Sequence, residues 1–163
     1  MNNTLFIGIG NEYRCDDGVG KKLARSVRSR NLPNVHVREE DRDGLALVEL
    51  WKGYDFVVAV DAVSVNSEGE AGAIHRFEVH KQPIPSKFLS CSTHAFGLAE
   101  AVELARILKE LPRNFIVYGI EGKNFSEKVG LSQEVQEALA KVEAAVLRDL
   151  DSVNSVNREV QDA

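Results

Sequence analysis

The sequence predicts an α/β domain: a three-layer sandwich in which a mostly parallel, twisted sheet is flanked by helices on both faces. Three observations predict it. Short β-type runs alternate with amphipathic helical stretches along most of the chain. Two of those runs, Thr4–Ile9 and Phe56–Val60, are apolar with no polar face, as parallel strands covered on both sides must be. The first of them leads through glycines into a helical pattern, the usual way an α/β unit turns from strand to helix.

Each element follows from its own pattern. Thr4–Ile9 reads as a buried strand. Val19 to Arg30 reads as a helix, with Val19, Leu23, Ala24 and Val27 on one face. Val35–Arg38 alternates as a weak strand, and Leu45–Trp51 is a short helix. Phe56–Val60 is the strongest strand. Ala73–Val79 alternates apolar and polar, the mark of a half-exposed strand. A loop containing Pro and Ser spans His80 to Ser92. Thr93 to Leu111 is a helix with Leu98, Ala101, Val102, Ala105 and Leu108 inward. Phe115–Ile120 is another buried strand. Ser132 caps a last helix whose apolar face is Val135, Leu139, Val142 and Val146. The pattern fades at Asp151, so residues 1–150 are expected to form a single domain and 151–163 a polar, frayed tail.

Composition excludes several functions. A chain of 163 residues suits one domain, large enough to bury a core without disulfides. Twenty basic and 25 acidic residues give a net charge of −5, and no basic stripe is present, so nucleic acid is not an expected partner. Cys15 and Cys91 form no C-x-x-C pair, which removes a zinc ribbon and a thioredoxin-like site. No signal peptide or membrane-spanning run is evident, so the expected compartment is the cytoplasm, with both thiols reduced. No heptad repeat points to an oligomer.

In an α/β sheet, ligands bind beyond the carboxyl ends of the strands, so the strand ends are where chemistry is sought. The first carries Gly8-Ile9-Gly10-Asn11-Glu12-Tyr13-Arg14-Cys15-Asp16-Asp17-Gly18-Val19-Gly20. Tyr13 fills the third glycine position of a dinucleotide fingerprint, and Asp16 and Asp17 would repel a phosphate at the helix start. One aspartate suffices for a helix cap, so a second asks for another role. The second strand end places Asp61 after a fully apolar run, where the alternative is a turn residue bonding its own backbone. The third piece is Cys91-Ser92-Thr93-His94 with Gly97-Leu98. There Ser92 or Thr93 would cap a helix and His94 would lie in its first turn, kept neutral and able to ligate metal. His36, His75 and His80 stand at no strand-to-helix junction and are set aside. Carboxylates around Cys15 oppose its thiolate, and no G-x-S-x-G elbow occurs. One or two carboxylates of the first loop, Asp61 and His94 make a site of oxygens and one nitrogen with open positions. It suits a borderline divalent ion such as zinc, nickel or iron.

These residues together resemble the hydrogenase maturation endopeptidases. The resemblance rests on Gly8-x-Gly10-Asn11, Asp16-Asp17-Gly18-x-Gly20, Val60-Asp61-Ala62, Thr93-His94 and Gly97-Leu98. Tyr118-Gly119-Ile120-Glu121-Gly122 and Gly130-Leu131-Ser132 fit as well. It implies an endopeptidase that removes the C-terminal extension of a nickel–iron hydrogenase large-subunit precursor after nickel insertion. It further implies that Asp17, Asp61 and His94 are the metal-contacting and catalytic residues, with Asp16 in a capping or supporting role. The nickel would arrive with the precursor, zinc or another divalent ion could replace it in vitro, and the enzyme would act as a monomer. Where many members carry Asp-Gly-Gly-Thr, this chain reads Asp41-Arg42-Asp43-Gly44-Leu45, which bears on which hydrogenase is served. Two other readings remain at this stage. One is a Rossmann-like nucleotide- or phosphate-binding module, supported by the Gly8-x-Gly10 turn. The other is a metal-binding maturation scaffold without catalysis.

Overall fold

The computed structural model describes residues 3–41, 43–64, 69–89 and 97–161. Five strands form one sheet: β1 (Thr4–Ile9), β2 (Val35–Glu40), β3 (Phe56–Val63), β4 (Ile74–Glu78) and β5 (Asn114–Glu121). Their order is β2-β1-β3-β5-β4, parallel except for β4, which runs antiparallel to β5 at the edge. The helices are α1 (Val19–Ser29), α2 (Gly44–Trp51), α3 (Ser86–Leu89), α4 (Leu98–Leu108) and α5 (Gln133–Gln161). A short 3₁₀ turn, Cys15–Gly18, precedes α1.

Burial explains the order. β1 is buried at every position and β3 at nearly every one, so these uniformly apolar strands take the middle of the sheet. β2 alternates exposed and half-buried residues and lies at an edge. Leu23, Ala24 and Val27 of α1 pack with Val135, Val142 and Val146 of α5 on one face. Leu47, Val48 and Trp51 of α2 pack with Ala101, Val102 and Ala105 of α4 on the other. The predicted three layers are therefore present. The chain leaves β1 through α1 to β2 on one side, then returns through α2 to β3 on the other. That reversal opens a crevice at the carboxyl ends of β1 and β3.

Four boundaries differ from the sequence reading. β3 continues through Asp61 to Val63 because β5 pairs with it along the whole run, up to Val63↔Glu121. The expected loop after His80 contains the one-turn α3. α4 starts at Leu98 rather than Thr93, because Gly97 has extended backbone and its N–H is taken by the Glu100 carboxylate at 3.1 Å. It stops at Leu108, where Lys109 turns left-handed at φ 57°. Finally, the expected loss of structure at Asp151 is not what the chain does, for α5 runs on to Gln161. No Gly or Pro interrupts it, and the Ser152 and Ser155 hydroxyls donate back to the Asp149 and Asp151 carbonyls. Among the described residues no helix is long and apolar enough to cross a membrane.

Candidate functional site

The first loop is held by close backbone packing. A Cβ on Gly8 would lie 2.1 Å from the Gly20 carbonyl oxygen. One on Gly20 would lie 2.4 Å from that of Ile9 and 2.7 Å from that of Val60. The start of α1 thus rests directly on β1 and β3, and the glycines serve this contact rather than the approach of a phosphate. The contact also carries the preceding turn, with Asp16 and Asp17, to the crevice where β3 delivers Asp61. Gly18 occupies the α1 cap position with no side-chain bond, so neither aspartate caps that helix.

The two aspartates are both buried and do different things. Asp16 accepts four hydrogen bonds. Its Oδ2 takes the Lys123 N–H at 2.8 Å, the Asn124 N–H at 2.9 Å and the Ser132 hydroxyl at 2.9 Å, and its Oδ1 takes the Ser132 N–H at 2.7 Å. It ties the β5–α5 loop to the first loop. Ser132 stands just before α5 as predicted, and its carbonyl accepts the Gln136 N–H, but its hydroxyl hydrogen goes to Asp16. Asp17 is 1% exposed, and its Oδ2 accepts the Asn11 N–H at 2.9 Å, folding the loop onto the end of β1. Cys15 is buried at φ 46°, its Sγ 3.6 Å from the Ser126 hydroxyl.

Asp61 is 7% exposed. Pairing with β1 ends at Gly8↔Val60, so Asp61 stands one residue beyond the neighbouring ladder, at the lip of the crevice. Val57 and Ala59 join the core under α2 and α4, and Asp61 faces the same way by the two-residue period of a strand. Asp17 and Asp61 thus share the switch-point edge of the sheet. His94 lies outside the described residues, as do Cys91 and Thr93. Among the described residues no three His, Cys, Asp or Glu side chains stand close enough to hold a metal ion. Two buried carboxylates at one edge offer hard, anionic oxygens, a donor set fit for part of a divalent site.

The sequence reading missed a second pair. His75 Nε2 lies 2.7 Å from Oε1 of Glu121, a carboxylate only 6% exposed. Asp61 and His75 are both register partners of Gly119, from opposite sides. A small cleft with about 30 Å³ of free space lies here, lined by Asp61, Val63, Phe77, Phe88, Leu98 and Gly119. The signal was present in the strand period: His75, Phe77 and Val79 share one face of β4 and its continuation. His36 and His80 were set aside as well. Their rings bond the Tyr54 hydroxyl at 2.9 Å and the Pro112 carbonyl at 2.6 Å.

Comparison with known proteins bears on this edge. A family model described as HycI, hydrogenase maturation protease, matches residues 18–149. The hydrogenase expression/formation protein HupD of Thiocapsa roseopersicina is 25% identical over 165 residues, covering 98% of this chain and 72% of that protein. In fold, the chain is similar to a solution structure of an endopeptidase from Escherichia coli. That likeness has a TM-score of 0.80 at 22% identity over 93% of each chain. It is similar also to the hydrogenase maturating endopeptidase HybD from E. coli, with a TM-score of 0.76 at 18% identity over 93% of each chain.

Proposed function

The chain belongs to the hydrogenase maturation protease family, and on that premise we propose which bond it cuts and with which residues. As a member it is an endopeptidase, a hydrolase. Its substrate on this reading is a nickel–iron hydrogenase large-subunit precursor, from which it removes the C-terminal extension in the cytoplasm after nickel has been inserted. The observation that carries the site is the convergence of Asp17 and Asp61, both buried, on the switch-point edge. Nickel belongs to the substrate. Asp17, Asp61 and His94 would contact it there and so read whether the precursor is loaded.

Peptide hydrolysis needs the carbonyl polarised and a water deprotonated. The precursor's nickel supplies the first. A carboxylate such as Asp17 would take the proton of the attacking water. The nucleotide-binding alternative loses its footing, because the backbone of Gly8 and Gly20 is already occupied by the chain itself.

The test is incubation of nickel-loaded and nickel-free precursor with the protein, read by mass spectrometry. The loaded precursor is expected to lose its extension. Asp17→Ala, Asp61→Ala and His94→Ala should each slow this by about 100-fold or more. Full-rate processing by His94→Ala would remove it from the site. A precursor that binds yet keeps its full mass would point to the scaffold reading.

A further inference from the structure

Gly119 is a glycine that its own fold does not require. It lies buried inside β5, outside the left-handed region. Among the described residues, a Cβ placed on it would meet nothing nearer than the Val63 methyls at 3.4 and 3.7 Å and the His75 Cβ at 4.0 Å, all ordinary contacts. A glycine inside a strand forgoes side-chain packing, and often marks a place where another backbone comes close. What flanks Gly119 says which backbone. Asp61 and His75 are its partners on the two neighbouring strands. Ala59, Val117 and Phe77, two positions away on each strand, all join the core under α4, so the row faces that side together. Adjacent strands lie about 4.8 Å apart, which sets Asp61 and His75 about 10 Å apart with only a glycine between them. The small cleft lies over that glycine, with free space of about 30 Å³.

His75 is held for a purpose of its own. Glu121 also accepts the Glu70 N–H, so its carboxylate is fixed from two sides. The His75 ring lies 4.9 Å from that of Phe88 and stacks parallel to Phe77. A carboxylate only accepts, so Nε2 must carry the hydrogen, and in the neutral ring Nδ1 is left as an acceptor. Among the described residues Nδ1 has no hydrogen-bond partner.

We propose that the row Asp61–Gly119–His75 seats the main chain of the substrate. An extended peptide segment crosses the edge over Gly119, and His75 Nδ1 accepts one of its N–H groups. Glu121 positions His75. The proposal rests on the protease reading for the peptide nature of its ligand, and it adds where that peptide lies.

The experiment is steady-state cleavage of the nickel-loaded precursor by the full chain and three variants, with thermal melting of each. Gly119→Ala should melt at or above the wild-type temperature, yet raise KM about tenfold because its methyl fills the floor of the slot. His75→Ala should raise KM about tenfold with kcat nearly unchanged, and His75→Gln, whose amide oxygen can accept, should recover most of the loss. Wild-type KM in Gly119→Ala overturns the slot. So does a fall of several degrees in its melting temperature, since the glycine would then be structural. If the wild-type chain leaves the precursor uncut, the proposed function fails instead. Precursor binding measured by calorimetry then decides the slot separately, and equal affinity for wild type and Gly119→Ala overturns it.

Discussion

The carboxyl edge of the sheet has two halves built in opposite ways. Around β1 the chain packs against itself. Gly8 and Gly20 exist because backbone touches backbone there, and Asp16 carries four internal hydrogen bonds. Around β5 the glycine touches nothing closely among the described residues, and a buried carboxylate holds a histidine beside a small cleft. Glycine and acid recur in both halves with different meanings. In the first they make a rigid socket, and in the second they leave room. A rigid socket fixes Asp17 against the lip that carries Asp61, and on the proposed reading the glycine floor beside Asp61 seats a chain from another protein. This suits an enzyme whose substrate is another folded protein presenting a tail.

The sharpest way to break the contrast is to substitute the same residue type in each half. Gly20→Ala pushes a methyl to within 2.4 Å of the Ile9 carbonyl oxygen, and backbone on both sides prevents relaxation. It should cost about 3 kcal/mol or more, read by urea unfolding, or leave no soluble protein. Gly119→Ala, as argued above, should cost nothing in stability. If the two variants were equally unstable, the two halves would not differ in the way described.

Asp16→Asn tests the socket next. The amide keeps one acceptor oxygen and turns an NH₂ toward groups that are themselves donors, so at least one buried N–H loses its partner. A loss of about 2–3 kcal/mol is expected, with the urea slope unchanged. Processing should fall only as far as the first loop shifts, and raising Asp17→Ala on the same background should still abolish what remains. A variant as stable as the wild type would mean that the β5–α5 loop is held by something other than Asp16.

Much of this was legible in the sequence. The uniform apolarity of Thr4–Ile9 and Phe56–Val60 placed both in the sheet's middle, because only doubly covered strands can afford no polar face. Asp16, Asp17 and Asp61 were found by standing at strand ends, and the structure brings Asp17 and Asp61 to one edge. The Asp16 network was not legible. Three of its four bonds come from backbone groups more than 100 residues away, and an N–H has no signature in sequence. His75 was missed for a related reason. It lies within a strand, and only the pairing of β4 with β5 shows that it shares a row with Asp61. The run beyond Leu150 was misjudged because its polar composition hid a helix-compatible chain with valines still spaced at three.

That run supplies the mildest test, one that should disturb neither half. A helix of 29 residues is about 43 Å long, whereas an eight-residue strand spans about 26 Å, so α5 outruns the sheet it covers. The family match ends at residue 149, one residue before Leu150, the last fully buried side chain of the helix among the described residues. Beyond it Val153 is only partly packed against the core, and Val156 is exposed. Deleting 151–163 should therefore cost about 1 kcal/mol or less, with no change in KM or kcat on the precursor. A larger loss of stability would place part of the core in the overhang. A changed KM at unchanged stability would instead extend the substrate surface from the open half of the edge to the opposite end of the molecule.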